Sequence, residues 1–106
     1  ELARAESRGE RVICFAHMPL MPPDGQFTLW NNGQIAALLQ RYPCVRAFLA
    51  GHHHKGGAHR FGYVLHFIFQ GMIEGPDNHY AIVEVYPDKL VIRGYGAQRD
   101  ETLRWL

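Results

Sequence analysis

The sequence has little cysteine, almost no net charge and no long apolar run, and each shortage narrows what the chain can do. Two cysteines in 106 residues are too few for a disulfide-stapled scaffold. Eleven Lys and Arg against ten Asp and Glu leave a net charge of +1, which argues against a polybasic nucleic-acid-binding or anionic-membrane surface. No apolar stretch approaches the roughly 18 residues of a membrane helix. Neither a nucleic-acid partner nor a membrane span is expected. With 47% apolar and 20% charged residues, the chain is not of disordered composition either. Its length suits one domain or less, able to bury roughly 65% of its unfolded surface. Cys14 lies inside an apolar run, where a thiol behaves as a small hydrophobe, so a reducing compartment, the cytoplasm, is expected.

What is present is histidine, seven in all with three consecutive, and a chain that opens without Met on Glu1-Leu2-Ala3-Arg4-Ala5-Glu6. That opening has the charge pattern of a helix and not of a signal peptide, which predicts an element upstream of Glu1.

Residues 1–8 carry Glu and Arg on an Ala/Leu background and predict a helix, with Gly9 as its stop. Residues 12–16 form a continuous apolar run of strand length, the pattern of a central strand covered on both faces. Pro22, Pro23, Asp24 and Gly25 mark a loop. Asn31 or Asn32 caps a second helix, whose apolar face is Ile35, Leu38, Leu39 and Tyr42, and Pro43 ends it. Residues 45–50 form a second strand, Gly56 and Gly57 a loop, and residues 63–70 a third strand rich in β-branched and aromatic side chains. Residues 80–86 and 90–95 form a hairpin around Pro87-Asp88-Lys89. The expected class is α/β: a mixed sheet from a βαβ unit followed by an antiparallel meander.

A right-handed βαβ crossover puts its two parallel strands in one sheet, ending at the same edge. One strand ends in His17 and the other in His52-His53-His54. Ligands of open α/β sheets gather at that edge. If the second strand continued through the trio, alternation would put His52 and His54 on one side and His53 on the other. Converging imidazoles suit Zn²⁺, Mn²⁺ or Fe; the plainer reading, a solvated histidine-bearing turn, stays open at this point. The spacing departs from the His-x-His-x-Asp-His pattern of metallo-β-lactamase-type hydrolases, because Gly56 stands at the Asp position. No Ser/His/Asp arrangement is visible, and Cys14 is too buried for a nucleophile. Gly56 and Gly57 would admit a phosphate, but a plain turn explains them. His59 and His79 read as solvated loop residues, His66 as a strand-face residue, and Phe27, Trp30 and Tyr42 as core.

Two segments, Val12-Ile13-Cys14-Phe15-Ala16-His17-Met18-Pro19 and Phe48-Leu49-Ala50-Gly51-His52-His53-His54, each close a strand on His-x-Pro or Gly-His-x-His. In this the chain resembles the carboxy-terminal half of a calcineurin-like metallophosphoesterase. Leu29-Trp30-Asn31, Gly56-Gly57 and Gly71-Met72-Ile73-Glu74-Gly75-Pro76 are similar to stretches of the manganese-dependent ADP-ribose/CDP-alcohol diphosphatases within that family. The resemblance implies half of a four-layer αββα sandwich and a two-metal site with Mn²⁺ favoured and Fe or Zn as alternatives. His17 and His52 would bind one metal and His54 the other, with Asn31 and Glu74 contacting a nucleotide-like substrate. The family's Asp-x-His, Gly-Asp-x-x-Asp and Gly-Asn-His-Asp/Glu motifs do not occur in this sequence. The resemblance therefore implies a segment of a hydrolase for phosphodiester or pyrophosphate bonds, inactive alone and completed by a missing amino-terminal half or another chain. The alternative is a non-catalytic metal-binding or interaction segment. With half a sandwich absent, Phe15, Phe48, Phe67 and Phe69 are expected to be partly exposed and to promote self-association.

Overall fold

The computed structural model describes residues 1–72, 75–76 and 78–105. Helix α1 spans Leu2–Ser7. It ends in a Schellman arrangement: Glu10 N–H donates to Ala5 O at 3.0 Å, Gly9 N–H donates to Glu6 O at 3.1 Å, and Gly9 sits at φ +69, where a side chain would be strained. The Glu6 carboxylate accepts the Cys44 N–H at 2.6 Å, which ties this helix to the segment entering strand β2.

Strand β1 is Val12–Phe15, helix α2 is Asn32–Gln40 and strand β2 is Val45–Ala50. The expected βαβ unit is present, with β1 and β2 parallel and Cys14 opposite Phe48. Helix α2 buries Ala36 and Leu39, whereas Leu38, expected on the buried face, is 42% exposed. Ala36 and Leu39 lie about 60° apart around a helix of 100° per residue, and Leu38 points a further 100° away. Asn31 is the N-cap residue without a side-chain cap bond. Asn32 instead donates to the carbonyls of Leu20 and Pro23, both at 3.0 Å, and so clamps the preceding loop to the helix start.

One strand lies where loop was expected. Strand β3, Gly57–Phe61, pairs antiparallel with β4, Val64–Ile68, and β4 runs parallel to β2. The first sheet therefore has the order β1-β2-β4-β3. The second sheet is antiparallel and consists of β5 (Tyr80–Val85), β6 (Lys89–Tyr95) and β7 (Glu101–Arg104). The expected α/β class, a mixed sheet from a βαβ unit followed by antiparallel strands, is present, and the third expected strand belongs to the mixed sheet and not to the meander.

Alternation along residues 47–50 of β2 and along β4 explains the layering, while Val45 lies beyond the register shift at Val12/Ile13 and joins the helix side. Val45, Phe48, Ala50 and Val64 pack with Ala5, Ala36 and Leu39 of the helices. Ala47, Leu49, Leu65 and Phe67 pack on Leu90 and Ile92 of the second sheet. Each such buried Leu or Ile contributes roughly 1.5–3 kcal/mol. Helices, mixed sheet and antiparallel sheet form three successive layers. This overturns the expected aromatic patch: Phe48 and Phe67 are 6% and 3% exposed because both faces of the first sheet are covered. Phe15, on the edge strand β1, is 73% exposed, and Phe69 is half-buried.

Candidate metal centre

Parallel β1 and β2 end side by side, and the chain leaves each through a histidine. The Gly51 N–H donates to His17 O at 2.9 Å, which locks the two exits together. His17 Nε2 and His52 Nδ1 lie 3.2 Å apart, with ring centroids 5.0 Å apart and planes at 72°. Two adjacent nitrogens bound at about 2.1 Å to one ion are separated by about 3.0–3.4 Å in octahedral or tetrahedral geometry. The pair therefore has the spacing of two neighbouring ligands of one metal. The same spacing serves a hydrogen bond in which one ring donates and the other accepts. Both residues are exposed.

His52 adopts φ +66, the positive φ among the described non-glycine residues. A side chain in that region is uncommon and costs about 1–2 kcal/mol. The strain marks where β2 ends: the chain turns at His52, and the alternation expected through the trio does not apply. His53, expected to face away, packs its ring on Phe27 at 4.7 Å and 32°. His52 touches the same ring edge-on at 6.1 Å. His54 stands over Gly71, whose N–H donates to the His54 carbonyl at 3.0 Å.

All three histidines of the trio line a cleft of about 980 Å³, together with Pro19, Met21, Phe27, Lys55, Gln70 and His79. Among the described residues, no three His, Cys, Asp or Glu side chains stand close enough to hold a metal ion. The donors present thus fit one edge of a metal site and do not complete it. Asn31 is not among the described residues lining the cleft, and Glu74 lies outside the described residues.

Sequence reasoning misplaced several aromatic and imidazole side chains. Phe27, read as core, is 41% exposed on the cleft wall, and Trp30 is 89% exposed. His79, read as solvated, is buried with Nδ1 unpartnered. Its position between turn residues carries no burial signal. His66 is 2% exposed, with neither ring nitrogen hydrogen-bonded. Burial, with His59 as a lesser cause, pushes its pKa down to about 4.

No family model matches the chain. It is 34% identical to the manganese-dependent ADP-ribose/CDP-alcohol diphosphatase of Xenopus laevis over 115 residues, covering 98% of this chain and 31% of that protein. The Homo sapiens diphosphatase of the same name is 34% identical over 110 residues, again 98% of this chain and 32% of the relative. A dimetal phosphatase from Danio rerio superposes with a TM-score of 0.88 at 29% identity, over 99% of this chain and 35% of that one. The chain spans about a third of the length of the curated relatives it matches. In sequence it is similar to one segment of the manganese-dependent ADP-ribose/CDP-alcohol diphosphatases, and in fold to one segment of a dimetal phosphatase.

Proposed function

We propose that this chain is the carboxy-terminal segment of a dinuclear, calcineurin-like metallophosphoesterase. The parent protein hydrolyses a phosphodiester or pyrophosphate bond in a nucleotide-like substrate of the ADP-ribose or CDP-alcohol type. The observation that carries the reading is the 3.2 Å approach of His17 Nε2 to His52 Nδ1 at the ends of two parallel strands. His17 and His52 serve one divalent ion and His54 its neighbour, with Mn²⁺ favoured, as the relatives' names support, and Fe or Zn as alternatives. When bound, such an ion pair supplies an activated hydroxide and offsets the charge that develops on the phosphoryl oxygens. Asn31 and Glu74 are assigned to substrate contact by the family resemblance alone.

The chain's own part is to present imidazoles from a rigid sheet edge. The remaining ligands come from the rest of the parent protein or from another chain. Because two imidazoles meet and no third donor joins them among the described residues, a second reading holds for the chain by itself: a metal-binding or interaction segment without turnover. Exposed Phe15 and Trp30 favour self-association of the isolated chain. Among the described residues no helix is long and apolar enough to cross a membrane. Free Cys14 and Cys44 support a cytoplasmic location.

The test is Mn²⁺-dependent hydrolysis of ADP-ribose and a CDP-alcohol by the parent protein, with and without His52→Ala. Loss of one ligand should lower the rate by orders of magnitude. Unchanged turnover in His52→Ala refutes the ligand assignment, and robust turnover by the 106-residue chain alone refutes the incomplete site.

A further inference from the structure

Resting on the metallophosphoesterase reading, we propose that Gln98, in the loop between β6 and β7, is a positioning residue for His54. It acts through Gln70 and Gly71, and so ties the second sheet to His54 and not to the His17–His52 pair.

The chain leaving β4 needs an acceptor that its neighbouring strands do not give. Phe69 N–H still donates to Ala50 O at 2.9 Å, and Gly71 N–H donates to His54 O at 3.0 Å. Successive N–H groups of an extended chain alternate in direction, so the Gln70 N–H between them faces away from β2. The β3–β4 ladder ends at the Gly57–Ile68 pair, short of Gln70. The acceptor is the side chain of Gln98, whose Oε1 lies 2.7 Å from Gln70 N.

This contact is a clasp and not a single bond. Gln70 Oε1 accepts the Arg99 N–H at 3.1 Å, and Gln98 Nε2 donates to Arg99 O at 3.2 Å. Gln98 is 6% exposed, and its loop is folded hard onto β6. A methyl group on Gly94 would collide with Gln98 O, and Gly94 N–H donates to Asp100 Oδ1 at 2.7 Å. Gly56, at φ +71, abuts Gln70 as well: a methyl group there would lie 2.9 Å from Gln70 Cγ. Gln70 thus touches both the end of the histidine turn and the loop of the second sheet.

The next residue carries the effect to His54. Gly71 has no side chain, and His54 Cβ and Cγ stand where one would go, 2.8 and 2.6 Å from a Cβ built there. His54 is therefore seated on the Gly71 backbone, which the Gln70 clasp holds in place. His17 and His52 are held differently, by the β1–β2 pairing and the Gly51 N–H on His17 O. A buried N–H stripped of its acceptor is costly, so the segment would move to find another. That movement reaches His54 and spares the pair. Outer partners that orient a ligand govern metal affinity by about 10–100-fold.

The test is NMR of the 106-residue chain in EDTA, wild type against Gln98→Leu, which removes the acceptor. The leucine variant should shift the His54 ring signals and speed hydrogen exchange of the Gln70 and Gly71 amides at least tenfold, with the His17 and His52 rings unmoved. Gln98→Glu, which keeps an oxygen for the Gln70 N–H, should restore both. Gln98→Asn, one methylene short of that N–H, should behave as the leucine variant does, and it replaces leucine should that variant fail to fold. His54 signals that stay unmoved while the Gln70 amide exchanges freely overturn the proposal. Equal shifts at His17, His52 and His54 overturn it too, because they would make Gln98 a general support of the fold. In the parent protein, Gln98→Leu should weaken one Mn²⁺ at least tenfold and leave the other; equal weakening of both ions counts against the proposal. A wild-type parent that takes up no Mn²⁺ would sink the metallophosphoesterase reading, and the metal-free spectra would still decide the coupling of Gln98 to His54.

Discussion

His54 and Gly71 occupy the same few ångströms. A methyl group on Gly71 would lie 2.6 Å from His54 Cγ and 2.8 Å from its Cβ. These are the inner atoms of the side chain, which a rotamer change alone cannot clear. Gly71→Ala should therefore push the histidine turn off β4's exit, at a cost of about 1–3 kcal/mol for overpacking. Urea unfolding and the His54 ring resonances measure the two effects. An alanine variant with wild-type stability and unshifted His54 signals would contradict the packing described.

Backbone strain at His52 separates conformation from chemistry. At φ +66, glycine pays no side-chain penalty and alanine does. His52→Gly should be more stable than His52→Ala by about 1 kcal/mol, while both weaken Mn²⁺ binding equally. Thermal unfolding in EDTA reads the first effect and Mn²⁺ titration the second. Equal stability of the two variants would mean that the turn relaxes out of the left-handed region.

How legible these features were depended on whether the signal was local. Residues 45–50 announce β2 because an apolar run interrupted only by Arg46 lies between Pro43 and Gly51. The meeting of His17 with His52 followed from crossover topology, 35 residues apart in sequence. Strand β3 was illegible: Gly57, Ala58, His59, Arg60 and Phe61 show no alternation and become a strand only by pairing with β4 around Gly62 at φ +60. Likewise β7 carries Leu103 as its apolar anchor and exists through its ladder with β6. The orientation of His53 was misread because alternation was carried past Ala50, where the strand had already ended. The cleft depends on the 19–28 loop folding back beside the histidine turn, and no period in the sequence encodes that approach.

The two-sheet packing makes β6 a structural centre. Ile92 is fully buried between Ala47, Leu49, Leu65 and Phe67 of the first sheet and its own. Ile92→Ala should lower unfolding stability by about 2–5 kcal/mol. Val91, facing the other way on the same strand and half-buried, should cost much less as Val91→Ala. Comparable losses at the two positions in urea unfolding would contradict the face assignment.

Acid sensitivity should come from His66. Its ring packs 5.8 Å from Phe48 and faces His59 across the β3–β4 ladder, with no hydrogen bond to either ring nitrogen. Burial holds the pKa down to about 4 from an ordinary 6.5. The folded state therefore resists the proton, and between pH 6.5 and about 4 the unfolded chain binds more protons than the folded one. Stability is then at its full value above pH 6.5 and falls as the pH drops through that window. A depression from 6.5 to about 4 corresponds to a loss of about 3 kcal/mol at most. His66→Phe, which keeps a ring against Phe48 and cannot titrate, should flatten the profile of unfolding free energy over this range. His59→Phe should leave most of the slope, because the neighbouring imidazole is the lesser cause of the shift. A wild-type profile already flat between pH 6.5 and 4, or an unchanged slope in His66→Phe, would assign the acid response to other groups.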